Sequence, residues 1–402
     1  MEQSGMMVDD NDDIIPIIKE EKSKVIIITG FLGAGKTTLI ESILKQPVLN
    51  KKVAVIQNEF SAKMGLESSL MKDQNGEDIQ DFYEMPNGCI CCAAKDDLIL
   101  TLDTLLEKKP ELEYILVETN GLADPSQVIQ TFWVDDGLCS KIVLHQTIGV
   151  IDTVNFETKM QNHALVKNED EPAQFSESDL LLRQLIYADK ILLNKIDLIQ
   201  EDKKDGLLKS IREKVKVLNP QADLQESSYS QTGLEFLTEK NVNNDFRNQD
   251  KFEQQNCCAL DTHDHNHCDS QDHSHDHKQK HHHDHSAVEN IQSIYINADF
   301  QTLINFDKFE KLMGELLWED MDDMSIMRCK GTFVAINKDQ ESNLWEYMLQ
   351  GVMNTFELRE IQNYELINHA QVYKHRFLFI GKNLNEQKLN LLIKKCYDDQ
   401  NQ

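Results

Sequence analysis

The run Gly30-Phe31-Leu32-Gly33-Ala34-Gly35-Lys36-Thr37 has the spacing G-x-x-x-x-G-K-[ST]. Each part of that pattern does something specific to a phosphate chain. Glycines let successive backbone N–H groups point inward at phosphate oxygens, and a helix opening at Lys36 adds the positive end of its dipole. Lys36 is placed to reach the β- and γ-phosphates, and the Thr37 hydroxyl to bind Mg²⁺. Taken alone, this loop implies a nucleoside triphosphate and leaves the base open.

Asn194-Lys195-Ile196-Asp197 supplies the base. An Asp carboxylate at the end of a strand can accept from the two guanine N–H groups that adenine lacks, and a wrong base would leave it unsatisfied. Alone, N-K-x-D reads as a surface turn. Downstream of a phosphate loop, at the carboxyl end of a strand, it favours GTP over ATP. Between the two motifs, Ile115-Leu116-Val117-Glu118-Thr119-Asn120-Gly121 is an apolar strand ending in an acid and then a glycine. Glu118 suits a Mg²⁺-side carboxylate, and the backbone at Gly121 suits a γ-phosphate sensor.

Gly88-Cys89-Ile90-Cys91-Cys92 places three thiols within four residues, directly before a helix. Thiolates suit Zn²⁺ or Cu(I), and neither Mg²⁺ nor Ca²⁺. The helix N-terminus and Lys95 favour the thiolate forms. Three sulfurs leave one tetrahedral position for water, Glu59 or a group from a partner, an arrangement suited to metal that is passed on. Buried structural cysteines, or a redox pair of Cys89 with Cys92, are the alternatives. The cluster lies between the phosphate loop and Glu118, where GTPases keep their switch segments. Farther on, ten histidines from His263 to His285 alternate largely with Asp and Ser, with Cys257, Cys258 and Cys268 nearby. Such a tract buffers divalent metals in many geometries, or is a solvated linker. His145, His163, His369 and His375 are isolated and read as structural or surface residues.

These residues need a frame. Apolar runs at Val25–Thr29, Val53–Ile56, Tyr114–Glu118, Ile148–Asp152 and Lys190–Asn194 alternate with helical spacing at Lys36–Leu44, Asp96–Leu106 and Asp179–Tyr187. This predicts a doubly wound, mostly parallel α/β sheet that closes with the strand Lys190–Asn194. Composition changes after Asn241, and order returns with Ile294–Asn297, Phe306–Leu317, Thr332–Ile336, Leu344–Met348 and Arg376–Ile380, a second, smaller α+β domain. The expected organisation is a disordered acidic arm (1–22), a nucleotide domain (23–241), a His-rich flexible linker (242–288) and the C-terminal domain (289–402). A chain of 402 residues with net charge −28 argues against a nucleic-acid groove and against anionic membrane surfaces. Its apolar runs are too short to span a bilayer, and no export signal is legible. A soluble, intracellular protein follows, with its nine cysteines reduced.

The order of these motifs resembles the CobW-type GTPases, a family of P-loop NTPase metallochaperones. The resemblance rests on Gly30–Thr38, Asn58-Glu59-Phe60, Gly88–Cys92, Glu118–Pro125, Arg183–Asp189 and Asn194–Asp197. Arg328-Cys329-Lys330-Gly331, Leu349-Gln350-Gly351-Val352 and Phe379-Ile380-Gly381-Lys382 extend it to the C-terminal domain. The acidic arm makes the chain most similar to the eukaryotic zinc-regulated GTPase metalloprotein activators. The resemblance implies GTP bound by Gly30–Thr38, Cys92, Ala93, Ala94, Lys95, Asp96, Gly121 and Asn194–Asp197, with catalysis by Lys36, Thr37 and Glu118. It implies Zn²⁺ on Cys89, Cys91 and Cys92 with Glu59 in support, and hydrolysis coupled to zinc transfer. The implied client is methionine aminopeptidase type 1, in the cytoplasm with the nucleus as a second compartment; homo-oligomerisation stays open. Relatives dock the client on a Cys-Pro-x-Leu-Val-Pro-like arm motif, of which Ile14-Ile15-Pro16-Ile17 keeps only the apolar end. Ser61-Ala62 stands where many relatives carry Gly-Glu. Cobalt, nickel or iron as cargo, and passive zinc storage, are the competing readings. No water-positioning Gln is evident, so intrinsic hydrolysis is expected to be slow.

Overall fold

The computed structural model describes residues 22–46, 53–57, 82–84, 93–134, 140–162, 175–239, 291–300, 302–319, 323–336, 344–364 and 373–397. Cys89, Cys91, Cys92, Glu59, the arm up to residue 21 and the His-rich tract lie outside these residues, as do His163 and His369.

Strand β1 (Ser23–Thr29) is buried along nearly its whole length, as a continuous Val-Ile-Ile-Ile run requires when both faces of a parallel sheet are covered. It is the central strand of a seven-stranded sheet in the order β3-β2-β4-β1-β5-β6-β7. The other strands are β2 (Val53–Gln57), β3 (Phe82–Glu84), β4 (Tyr114–Glu118), β5 (Ile142–Asp152), β6 (Lys190–Asn194) and β7 (Asp223–Glu226), and every pairing is parallel. The connecting helices are α1 (Lys36–Leu44), α2 (Ala93–Lys108), α3 (Pro125–Val134), α4 (Phe156–Met160), α5 (Glu177–Tyr187), α6 (Glu201–Leu218) and the short α7 (Leu234–Thr238). The chain winds from β1 to one side through β2, β3 and β4, then to the other through β5, β6 and β7. That reversal leaves a crevice at the carboxyl ends of the central strands.

Three expectations need correction. The sheet does not close at Lys190–Asn194, because β7 adds an edge strand beyond it. Its sequence, Asp-Leu-Gln-Glu, is half-exposed and carries no apolar run to signal it. Strand β5 begins six residues before Ile148. His145, Gln146 and Thr147 interrupt its apolar run, but each finds a hydrogen-bond partner inside the fold. His145 Nε2 lies 3.0 Å from the Thr238 carbonyl, Gln146 Nε2 donates to the Leu237 carbonyl, and Thr147 N–H donates to Asp189 at 2.8 Å. Helix α2 begins at Ala93, three residues before Asp96.

The C-terminal part is a five-stranded antiparallel sheet, ordered β11-β10-β9-β12-β8, built from β8 (Ile291–Phe300), β9 (Ser325–Ile336), β10 (Leu344–Val352), β11 (Thr355–Tyr364) and β12 (Tyr373–Lys382). Polar, alternating β11 is an edge strand that the apolar pattern did not signal. Helices α8 (Phe306–Trp318) and α9 (Glu386–Lys394) complete it. Asn305 caps α8 through Oδ1, which accepts from Lys308 N–H at 3.0 Å. Phe309 on α8 packs at 4.5 Å on Phe333 and 5.2 Å on Phe377, the centre of an apolar cluster of its own. Buried His375 accepts Val334 N–H on Nδ1, so its proton sits on Nε2, which faces the Thr302 carbonyl.

The two sheets are not strung loosely together. Met327, Val352, Leu378 and Ile380 join the same apolar cluster as Ile129, Leu182 and Tyr187 of the nucleotide domain. In the middle of this contact buried Asp189 accepts from both Arg328 and Lys330, and Arg328 also donates to the Ala188 carbonyl at 2.8 Å. No described helix is long and apolar enough to cross a membrane.

Candidate functional site

The turn after β1 leaves the sheet with Gly30 at φ 144°, Gly33 at 73° and Gly35 at 110°, conformations that L side chains rarely adopt. At Gly30 space excludes a side chain as well: a Cβ would lie 2.2 Å from the Val150 carbonyl oxygen. Helix α1 then starts at Lys36, directly after Gly35, with no side-chain cap on its first N–H groups. Ala34 is fully buried and Leu32 is half exposed. Phe31 is buried under Lys159, whose ammonium sits 3.6 Å from the ring centroid.

Thr37 donates its hydroxyl to Glu118 Oε1 at 3.1 Å. Glu118, fully buried at the end of β4, also accepts on Oε2 from Gln57 at 2.7 Å. The oxygen donors Thr37 and Glu118 stand together beside the phosphate loop, and hard oxygen ligands of this kind suit Mg²⁺. Lys36 is almost fully buried in the same crevice. Gly121 lies against the loop: a Cβ there would meet Leu32 N at 2.5 Å. The segment after Gly121 turns on Asn120 and Asp124, which accept from Leu122 N–H and Ser126 N–H at 2.9 Å. Arg183 on α5 ties it down through a 2.7 Å bond to Asp124.

The structure gives the residues of Asn194–Asp197 two kinds of surroundings. Asn194 is buried and turned inward. Its Nδ2 donates to the Ala34 carbonyl at 2.8 Å and to Ser230 Oγ at 2.7 Å, while Oδ1 accepts from Ser230 N–H at 2.8 Å. Ser230 Oγ donates in turn to the Gly35 carbonyl at 2.9 Å. Asn194 therefore braces the loop after β6 against the phosphate loop, and Asp197, three residues on, is exposed. Lys195, at φ 66°, makes a 2.7 Å ion pair with Asp152. Burial works to raise the Asp152 carboxyl, but hydrogen bonds from Lys195 and Asn155 and the Lys195 charge outweigh it and hold it below the usual carboxylate range.

Gln57, Asp152 and Ser230 were not singled out from the sequence. Asp152 carries one usable signal, a carboxylate at the end of the predicted strand Ile148–Asp152; Ser230 carries none. The thiol cluster and Glu59 lie outside the described residues, and among the described residues no three His, Cys, Asp or Glu side chains gather to hold a metal. Ala93–Asp96 form the first turn of α2.

With this geometry in place, residues 24–226, about half of the chain, match the family described as CobW/HypB/UreG, nucleotide-binding domain. This chain belongs to that family. A fission-yeast protein (Schizosaccharomyces pombe) named zinc-regulated GTPase metalloprotein activator 1 is 29% identical over 396 residues, covering 96% of this chain and 87% of its own. The protein of the same name from Saccharomyces cerevisiae is 31% identical over 222 residues, 54% of this chain and 51% of its own. The Escherichia coli zinc chaperone YjiA is 30% identical over 221 residues, 54% of this chain and 61% of its own. The crystal structure of Zn(II)-bound YjiA GTPase superposes with a TM-score of 0.55 at 23% identity over 94% of this chain and all of that one. The CobW-type P-loop fold, with its added antiparallel sheet, is therefore shared along nearly the whole chain.

Proposed function

We propose that this protein is a GTP-dependent zinc metallochaperone. It holds Zn²⁺ on Cys89, Cys91 and Cys92, with Glu59 in support, and releases it to a client metalloprotein as GTP is hydrolysed. The observation that carries this reading is the hydrogen-bonded chain Thr37–Glu118–Gln57. Gln57 is the last residue of β2, and the segment from 58 to 92 that follows contains all four proposed zinc ligands. A change on the phosphate side of Glu118 would reach the end of β2, two residues before Glu59. The names of the relatives, zinc-regulated activators and zinc chaperones, support zinc over cobalt, nickel or iron.

In the reaction, α1's N-terminal amides and Lys36 would bind and neutralise the β- and γ-phosphates, and Asp197 would select guanine. Thr37 and Glu118 would hold Mg²⁺, which supplies charge neutralisation at the transferring phosphate. Gly121, packed on Leu32, would report the presence of the γ-phosphate through its backbone. No side chain is assigned to activate water, consistent with slow intrinsic turnover. Methionine aminopeptidase type 1 is the client the family resemblance implies; nothing in the arm's apolar knot Ile14-Ile15-Pro16-Ile17 adds to that.

The deciding measurement is zinc affinity of the purified protein with a GTP analogue and with GDP. The expected difference is about 5- to 150-fold, the usual size of a coupling between two sites. Equal affinities would remove the coupling. Wild-type zinc transfer by the triple variant Cys89→Ser/Cys91→Ser/Cys92→Ser would overturn the ligand assignment.

A further inference from the structure

In the C-terminal part, α8, the turn joining β10 to β11 and the start of β11 line an open groove of about 820 Å³. Its charge is one-sided. Asp307, Glu310, Glu315 and Glu319 line it against a single Lys311, which pairs with Glu315 at 3.6 Å. Its wall is aromatic: Trp318 lies 6.0 Å from Phe356 yet keeps 68% of its surface exposed.

That tryptophan is held in place. Its indole N–H donates to the Asn354 carbonyl at 2.8 Å. One turn earlier Gly314 leaves the space the ring needs, since a Cβ there would sit 2.8 Å from the ring. An exposed ring already fixed in one position loses little entropy on contact, which is what a binding anchor needs. The neighbouring β11 is an edge strand among the described strands, so main-chain groups border the same groove.

We infer that this groove is a docking surface for a basic peptide segment of a partner protein, one that presents an apolar side chain to Trp318 and Phe356 among Lys or Arg residues. Charge complementarity selects this occupant. A second copy of a chain with net charge −28, or the chain's own acidic arm, would bring like charge to the carboxylates. The same turn is gripped from the other side by the nucleotide domain. Gln130 on α3 donates to the Val352 carbonyl at 3.1 Å and to Asn354 Oδ1 at 2.9 Å. Helix α3 starts four residues beyond Gly121, so peptide affinity should follow nucleotide state through Gln130. The client of the proposed zinc transfer is the natural source of such a segment; that source and the dependence on nucleotide state rest on the preceding reading. Docking itself requires neither zinc nor hydrolysis.

The test uses the full chain and a short fluorescein-labelled peptide alternating Lys and Leu around one Phe, read by fluorescence polarisation. Trp318→Ala and the pair Glu310→Lys/Glu315→Lys should each weaken binding about tenfold or more, with GTP-analogue binding unchanged as a check on folding. The pair Glu201→Lys/Asp202→Lys, exposed on α6, should weaken it little. Equal weakening by the two charge reversals, or no effect of Trp318→Ala, would overturn the site as mere attraction to an acidic protein. Wild-type protein should bind the peptide differently with GTP analogue and GDP, and Gln130→Ala should erase that difference while keeping the peptide. A wild-type affinity indifferent to nucleotide would overturn the link through Gln130.

Discussion

Asn194 and Asp197 sit three residues apart in one motif, yet the fold gives them opposite surroundings. Asp197 is exposed, and the charged hydrogen bond to guanine proposed for it would be worth about 1.5–3 kcal/mol. Asp197→Ala should therefore lower GTP affinity by about 10- to 100-fold and leave weak ATP binding unchanged, as read by competition with a labelled analogue. Asn194→Ala should instead weaken both nucleotides. It removes the bonds to Ala34, Ser230 Oγ and Ser230 N–H that set the loop's shape. The motif's spacing announced a guanine site. The division of labour within it was illegible, because Ser230 lies 36 residues downstream in a segment with no motif of its own.

The phosphate loop works as an element because hydrogen bonds from Asn194 and Ser230 and close packing hold its backbone conformation. Gly35 combines φ 110° with a Cβ position 2.4 Å from Asn194 Nδ2, whereas Gly33, at φ 73°, faces open space. Gly33→Ala should cost only the strain of a left-handed alanine, about 1–3 kcal/mol. Gly35→Ala adds a collision with the brace and should abolish tight nucleotide binding. Thermal unfolding and GTP-analogue titration on the two variants separate these effects. Strands buried on both faces, such as β1 and β6, were legible as apolar runs. Edge strands β7 and β11 were not, because one side of each faces no neighbour among the described strands and their sequences need no apolar run.

At the scale of the molecule, the joint between the two sheets turns on Asp189. Burial alone would raise its carboxyl, but Lys330 and Arg328 outweigh that and hold it far below the usual 3.8. Burial, helped by neighbouring Arg328, pushes the Lys330 ammonium down to about 8, with Asp189 opposing. Asp189→Asn leaves two buried cations without their counter-charge and should destabilise the protein by about 3–5 kcal/mol, checked by urea unfolding. The lowered Asp189 value makes its contribution fully present above pH 3.8 and progressively lost as pH falls further. The variant should therefore lack that part of the wild-type acid slope. Lys330 acts in the opposite window: its lowered value means stability rises as pH goes from about 8 towards 10.5.

By itself the sequence determined the motifs that depend on short spacing: the phosphate loop, Asn194–Asp197, Glu118 at a strand end, and the run of three thiols. Local backbone geometry binds such residues to one another wherever the chain goes. Tertiary structure alone decided which distant groups complete them. Gln57 meets Glu118 across 61 residues, and Lys195 meets Asp152 across 43. Asp189 meets Arg328 across 139. Parallel strand order sets the first two meetings and the packing of the antiparallel sheet on the nucleotide domain sets the third; both are properties of crossovers and shared burial that no local run of residues encodes.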